Sequence, residues 1–213
     1  HLKKPMYDLL GGKKRLNAPM FWMIAGSKDE MELAKARIDD GYIAFKVKVG
    51  MNLPEHDLVR SEQSRKICGN GVHVSADANQ GYSPPNAIKF AKGAGDAGLD
   101  FFEQPVNGHD IESMKNCAAV CSVPIAADEG IHSIEDIQKH YDQKAAMGGS
   151  LKLIKLGSAS GVMEGAKLMQ KLSMSVNLAG KTADTSIGSA AISHLAVSLP
   201  TLEWDASVTN QYL

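Results

Sequence analysis

Short, almost continuously apolar segments alternate with longer helical segments along the whole chain, and this alternation restricts the fold more than any other feature. Such apolar segments are typical of strands that are buried on both faces of a parallel sheet. A helix between each pair of strands predicts right-handed strand–helix–strand units. The predicted strands are residues 20–26, 43–50, 72–79, 99–105, 123–130, 150–157, 173–180 and 201–207.

Two helix boundaries carry recognisable signals. Ser27 followed by Glu30 has the spacing of a capping box, which predicts that Ser27 caps a helix ending near Gly41. Ser133 and Asp136 repeat the same spacing before another helical segment. These signals support the assignment of helices between the apolar segments.

Two parallel architectures accommodate such a chain: an open, doubly wound sheet and a closed barrel. A nucleotide-binding open sheet would carry a glycine-rich phosphate loop after its first strand, and GSKDE at 26–30 is not one. Charged residues instead occur at the carboxyl ends of five consecutive strands, where barrel enzymes place their active sites. We therefore predict the α/β class, with a TIM-like modified (β/α)7β barrel as one catalytic domain over residues 1–213. Residues 1–17 would be an entry segment, 18–207 the barrel and 208–213 the start of a C-terminal return segment.

Composition excludes several classes of partner. The 213 residues include 23 Lys and Arg against 24 Asp and Glu, so no basic surface for nucleic acid or an anionic membrane is predicted. No segment approaches the roughly 18 consecutive apolar residues of a membrane span, and the chain is expected to be cytoplasmic. Cys68, Cys117 and Cys121 lack the spacing of a zinc site and are expected to be reduced thiols.

The second predicted strand carries two lysines on one face. Lys46 and Lys48 alternate with Phe45 and Val47, and the apolar pair suits contact with the surrounding helices. Both lysines are therefore expected to point into the barrel. Because unpaired ammonium groups are costly to bury, simple packing is a poor explanation for them.

Three carboxylates end the next three predicted strands. They are Asp77, Glu103 and Asp128, and Asn79 shares the face of Asp77. Neighbouring carboxylates repel one another unless a cation compensates them, and a set of oxygen donors suits Mg²⁺ better than zinc. We expect one divalent cation, Mg²⁺, bound by the three carboxylates. In the alternative interpretation, each carboxylate pairs with a barrel lysine or caps the next helix.

The sixth predicted strand carries Lys152 and Lys155, which are three residues apart and so face opposite sides. Lys155 is nearer the carboxyl end, so we place it in the site and Lys152 outside the barrel. Strands two and six are opposite each other in an eight-stranded ring, so Lys48 and Lys155 would face each other across the barrel mouth, with the metal carboxylates on the arc between them. Amines on both sides of a metal-bound carboxylate suit removal and return of its α-proton. Lys46 would assist by lowering the pKa of Lys48 through like charge.

Five sequence motifs, taken in order, resemble those of the enolase superfamily and specifically of its muconate lactonizing enzyme subgroup. The motifs are FKVKVG, SADANQGY, FFEQP, IAADE and IKLGSASGV. The resemblance covers essentially the whole chain and implies Mg²⁺ ligation by Asp77, Glu103 and Asp128, proton transfer by Lys48 and Lys155, and electrostatic assistance by Lys46. It also implies that the family's N-terminal α+β capping domain is absent, so that this chain is a barrel fragment.

The predicted function is Mg²⁺-dependent abstraction of the proton α to a carboxylate through an enediolate intermediate. The outcome would be racemisation, epimerisation or dehydration of an amino-acid-like or other carboxylate substrate. A muconate-type cycloisomerase, a Schiff-base aldolase using Lys155 and a non-catalytic barrel are the alternatives.

The last two predicted strands are expected to meet the distal part of the substrate, because metal and bases occupy strands two to six. Asp184, Trp204 and Asp205 are the predicted contacts there, together with Asn79. Carboxylates beside an indole favour a cationic nitrogen in the substrate. In the alternative, Trp204 packs against the helices and Asp184 caps a helix. The expected partners are a small-molecule carboxylate and further copies of the chain as a homo-oligomer, with neither nucleic acid nor membrane.

Overall fold

Eight parallel strands form a nearly closed barrel in the computed structural model, which describes residues 2–181 and 184–208. Each strand pairs with the next along the chain, and a bridge between Met20 and Ala206 brings the last strand back to the first. The strands are β1 (Phe21–Ile24), β2 (Ala44–Lys48), β3 (His73–Asp77), β4 (Phe102–Glu103), β5 (Ile125–Ala127), β6 (Gly148–Leu151), β7 (Ser175–Ala179) and β8 (Ala206–Ser207). The predicted α/β barrel is confirmed.

The first helix precedes the first strand, and the other helices follow the strands on the outside of the barrel. They are α1 (Met6–Leu9), α2 (Glu30–Asp39), α3 (Pro54–Cys68), α4 (Pro84–Gly93), α5 (Ile111–Val120), α6 (Ile134–Asp142), α7 (Leu153–Leu156), α8 (Ala159–Lys171) and α9 (Ser186–Ser198). Phe90 of α4 and Met114 of α5 are completely buried in the layer between helices and strands. Among the described residues, the structure has no helix with the length and apolar character needed to cross a membrane.

The outer layer of the barrel confirms the predicted alternation along β2. Phe45 and Val47 belong to the main apolar core under the helices, whereas Lys46 contacts Glu103 of β4.

The division of the chain into entry, barrel and return segments stays a prediction, and residues 209–213 lie outside the described part of the chain.

The sixth strand differs from its prediction. It runs from Gly148 to Leu151, and Leu153–Leu156 of the predicted segment 150–157 form the single helical turn α7. A Cβ on Gly148 would collide with the Trp204 ring, and a Cβ on Gly149 would lie 2.6 Å from a methyl carbon of Ile131. The strand can start at these glycines because neither carries a side chain, and this packing is not visible in the local sequence pattern.

The first helix boundary also differs. Helix α2 begins at Glu30 after Asp29, so the prediction that Ser27 caps it is wrong. The Glu30 carboxylate instead accepts a hydrogen bond from Gly26 N at 2.6 Å. Ser133 does cap its helix, with its hydroxyl accepting from Asp136 N at 3.1 Å.

An aromatic cluster fills the barrel at the amino ends of the strands. Trp204 stacks on Phe101 with ring centroids 4.3 Å apart, and Phe21 meets Phe101 edge to face. The predicted position of Trp204 at the barrel mouth is therefore wrong, because Trp204 precedes β8 and forms the floor of the barrel. Asp205 also precedes β8, and its carboxylate lies 2.7 Å from Nδ1 of His73 at the start of β3. Its predicted place at the mouth is wrong for the same reason.

Replacement of Trp204 tests this assignment through stability. Trp204→Ala is expected to lower the free energy of unfolding by about 3–5 kcal/mol, because a buried aromatic ring leaves a cavity. Trp22→Ala is the control, since Trp22 lies on the outer face of β1 and is only partly buried. Urea unfolding measures both. A smaller loss for Trp204→Ala than for Trp22→Ala would contradict the floor position.

Candidate active site

A cavity of about 260 Å³ opens at the carboxyl ends of the strands. Its ionic wall comes from strands β2 to β6 and contains Lys46, Lys48, Asp77, Asn79, Glu103, Asp128 and Lys152. The wall from β1, β7 and β8 contains Met23, Ala179, Gly180, Lys181 and Ser207. The structure therefore brings together the predicted carboxylates and the lysines of strand two in one site.

An ion pair forms the deepest polar layer of this cavity. Lys46 donates to Glu103, and each side chain is only 2% exposed. The Ser150 hydroxyl lies within hydrogen-bond distance of Glu103 and, at 2.8 Å, of Asn177 Oδ1, and its one proton can be donated to either acceptor. The Lys46 ammonium lies 5.1 Å from the ring centroid of Phe21, so the ionic layer rests directly on the aromatic floor.

Lys48 occupies the next layer, nearer to solvent. Its ammonium donates to Asp77 Oδ2 at 2.5 Å and to Asn79 Oδ1 at 2.7 Å. Asn79 continues this chain by donating to Glu129 Oε1 at 3.1 Å. The Lys48 side chain is 32% exposed, so its amine is accessible from the cavity.

Asp128 is held by two lysines. Lys152 Nζ donates to Oδ2 at 2.5 Å, and Lys155 Nζ donates to Oδ1 at 2.6 Å. Lys155 also donates to the backbone carbonyls of Asp128 and Ser150, at 2.5 and 3.1 Å. The prediction that Lys152 lies outside the barrel is wrong: Lys152 lines the cavity because β6 ends one residue before it.

The pKa values of these groups follow from burial opposed by ion pairing. Burial would lower the pKa of Lys48, but the charge and hydrogen bond of Asp77 outweigh it and raise that pKa. Burial and Asp128 act in the same way on Lys152, with the pKa raised. Burial dominates for Lys155 and lowers its pKa despite Asp128. The expected lowering of the Lys48 pKa by Lys46 is therefore not found, because Asp77 and not Lys46 sets its direction.

The donor set fits a divalent cation in its chemistry. Asp77, Glu103 and Asp128 are almost completely buried, face one cavity and present only oxygen donors, which Mg²⁺ prefers. Beside them, Glu129 Oε2 is buried without a hydrogen-bond partner, and burial followed by the nearby Asp128 charge raises the Glu129 pKa. A cation at this wall would relieve the repulsion between Glu129 and Asp128.

Lysines compensate the carboxylates in this structure. Asp77, Glu103 and Asp128 each contact at least one ammonium group, as the alternative interpretation of the sequence described. Within residues 2–181 and 184–208, no three acidic, histidine or cysteine side chains are grouped closely enough to hold an ion. Metal ligation by the three carboxylates therefore stays a prediction supported by their chemistry.

The remaining predicted substrate contact, Asp184, lies in the turn before α9. Its Oδ2 accepts from Lys181 N at 2.9 Å. Thr185, and not Asp184, caps α9 through its hydroxyl. Sequence reasoning missed Lys181 and Ser207 in the cavity wall. Lys181 directly follows the seventh predicted strand and Ser207 ends the eighth, and these positions were the available signal.

The sequence matches the family described as enolase C-terminal domain-like over residues 29–212. The chain belongs to this family. The resemblance drawn from the five motifs is therefore confirmed. Apart from Met23, the residues that line the cavity fall within this match.

A racemase, an epimerase and a muconate lactonizing enzyme are each similar to most of this chain. An N-succinyl-L-Arg/Lys racemase of Bacillus cereus is 31% identical and covers 92% of this chain. An L-Ala-D/L-Glu epimerase of Bacillus subtilis is 29% identical and covers 91%. A muconate lactonizing enzyme from Pseudomonas fluorescens, solved with muconolactone, has a TM-score of 0.88 at 26% identity over 95% of this chain and 55% of its own. The chain spans 54% of the length of each of the two Bacillus enzymes.

The two lysines on Asp128 should differ in their contribution to stability. Lys155→Met removes the donor to two backbone carbonyls and a buried carboxylate, whereas Lys152→Met removes a donor to the carboxylate alone. We expect Lys155→Met to lower the free energy of unfolding by about 1–3 kcal/mol more than Lys152→Met, because buried acceptors without donors are costly. Urea unfolding of both variants decides the matter. An equal or larger loss in Lys152→Met would contradict a structural role for Lys155.

Proposed function

We propose that this protein catalyses Mg²⁺-dependent proton transfer at the carbon α to a carboxylate, as a racemase or epimerase. One observation carries the proposal: Lys48 of β2 and Lys152 after β6 line the same cavity from strands that are opposite in the ring. The carboxylates of Asp77, Glu103 and Asp128 occupy the arc between them. An amine on each side of a bound α-carbon allows removal of its proton on one face and return on the other.

Lys152, and not Lys155, is the proposed partner of Lys48. The Lys152 side chain is 19% exposed and lines the cavity, whereas Lys155 is 8% exposed and donates to two backbone carbonyls. A base must reach the substrate, and the Lys155 amine is held behind Asp128. The same contacts weaken the aldolase alternative, because an imine requires an accessible amine.

The three carboxylates, Lys46 and Asn79 also have proposed roles. Asp77, Glu103 and Asp128 would hold Mg²⁺, which would supply positive charge that stabilises the charge developing on the substrate carboxylate and would compete with the lysines for these oxygens. Lys46 holds Glu103 from below and does not reach the mouth. Asn79 orients the Lys48 amine through its side-chain oxygen.

We propose an amino acid with an acylated nitrogen as the substrate class. The wall contributed by β7 and β8 includes Lys181 and Ser207, and the Ser207 hydroxyl is buried without a hydrogen-bond partner. A hydroxyl and an ammonium suit an acyl carbonyl or a second carboxylate better than a free cationic nitrogen. With Trp204 and Asp205 on the barrel floor, two predicted contacts for a cation are absent from this wall. The names of the two Bacillus relatives, which act on N-succinyl amino acids and on a dipeptide, agree with this class.

A muconate-type cycloisomerase is the second candidate, supported by the close fold similarity to the Pseudomonas fluorescens enzyme. Four further expectations stay proposals. They are a small-molecule carboxylate partner, a homo-oligomer, the lack of nucleic-acid and membrane partners, and a cytoplasmic location.

Deuterium exchange tests the proposed reaction. In D₂O with Mg²⁺, the protein is incubated with each enantiomer of N-succinyl-arginine and N-succinyl-lysine and with L-Ala-L-Glu and L-Ala-D-Glu, and the α-proton signal is followed by NMR. We expect loss of the α-proton from both isomers of at least one pair. Lys48→Ala and Lys152→Ala should each abolish exchange for one isomer, and for opposite isomers.

Lys155→Ala provides the matched comparison. It should reduce exchange of both isomers together, because it disturbs Asp128 without removing a base. If Lys155→Ala abolishes exchange of one isomer selectively while Lys152→Ala does not, Lys155 is the base, as the sequence predicted. Turnover of cis,cis-muconate in the absence of any α-proton exchange would favour the cycloisomerase.

A further inference from the structure

A buried polar network lies behind the second strand, on the side away from the cavity. Its centre is Arg60 of α3, whose guanidinium makes two hydrogen bonds of 2.9 Å to the carboxylate of Glu30. Arg60 Nη1 also donates to the carbonyl oxygen of Lys48 at 2.8 Å and to Asp57 Oδ1 at 3.2 Å. Arg60 therefore contacts the backbone of a residue whose side chain lines the active-site cavity.

The Lys48 carbonyl needs such a donor because strand pairing stops before it. The register between β1 and β2 ends at Ile24 opposite Val47, one residue short of Lys48. A carbonyl group at this depth would otherwise lack a protein partner on that side. Arg60 supplies the donor that a longer β1 would have given.

The network joins the loops around Lys48. Asp57, which is fully buried, accepts from Gly50 N at 2.9 Å and from the Tyr82 hydroxyl at 2.7 Å. Glu30 accepts from Gly26 N at 2.6 Å. The ends of β1 and β2 and the loop after β3 are thereby tied to one guanidinium and two carboxylates.

We infer that Arg60 is a positioning residue for the Lys48 amine. It fixes the last residue of β2 relative to helix α3, and so sets the level at which the Lys48 side chain enters the cavity. Lys152 follows β6 on the opposite side of the ring and has no contact with this network. This inference rests on the proposed two-lysine reaction, and it predicts that loss of Arg60 impairs one of the two proton transfers.

Stereospecific exchange separates positioning from a general structural role. The probe is the N-succinyl amino acid or dipeptide pair that the wild-type protein exchanges fastest, and the reference isomer is the one whose exchange Lys48→Ala abolishes. Arg60→Met should slow exchange of that isomer by about 10- to 100-fold, the range that misplacement of a reacting group produces. Exchange of the other isomer should change much less. Arg60→Lys should give an intermediate loss, because an ammonium cannot reproduce the paired contact with Glu30.

Arg65 offers a matched control on the same helix. Its guanidinium is equally buried, with 18% side-chain exposure against 19% for Arg60, but it donates to the carbonyls of Val72 and Gly98 at the other end of the barrel. Arg65→Met should slow both isomers by the same factor. If Arg60→Met does not fold, Glu30→Gln takes its place, because it removes the charge but leaves one acceptor. Glu30→Gln should also slow exchange of the reference isomer more than exchange of the other isomer, by a smaller factor than Arg60→Met.

If Arg60→Met and Glu30→Gln each slow the exchange of both isomers equally, while the wild type exchanges normally, the positioning role of Arg60 is overturned but the proposed reaction is not. Absence of exchange by the wild type would contradict the proposed reaction itself and, with it, this role.

Discussion

The ion pair between Lys46 and Glu103 is the interaction on which the interior of this barrel depends. Two charged groups that are each 2% exposed can remain there only because they neutralise each other and because Ser150 supplies a further hydrogen bond to the carboxylate. Below the pair lies the aromatic floor of Phe21, Phe101 and Trp204. Above it lie the carboxylates and amines that face the cavity. The ion pair thus separates a layer that packs from a layer that can react.

The same requirement for charge compensation explains the arrangement at the mouth. Asp77 and Asp128 are buried in ion pairs with lysines. Removing either member of such a pair would leave the other charge buried without compensation. A site built in this way can exchange one cation for another: ammonium groups compensate the carboxylates here, and a divalent ion would compensate them during the proposed reaction. Lys155 and Arg60 support this layer from outside the cavity, the first through Asp128 and the second through the backbone of Lys48.

Much of this site is predictable from sequence because side-chain alternation is a local property of a strand. It places Lys46 and Lys48 correctly on the inner face of β2, and strand ends locate the three carboxylates. The same reasoning fails at Lys152, since the face of that residue depends on where β6 ends. The strand starts before its predicted segment, at the two glycines that pack against Trp204 and Ile131, and this contact joins distant parts of the chain. Trp204 is misplaced because β8 has only two residues, so a small error in its start moves a side chain from the mouth to the floor.

The central claim is that Asp77, Glu103 and Asp128 form one site for a divalent cation between two lysines. Calorimetric titration with Mg²⁺ tests it most directly, with Asp100→Asn as the control because Asp100 lies at the other end of the barrel beside Arg65. The account predicts one Mg²⁺ per chain, with affinity reduced at least about 10-fold in Asp77→Asn and Asp128→Asn and unchanged in Asp100→Asn. Absence of Mg²⁺ binding, or equal affinity in all four proteins, would contradict it.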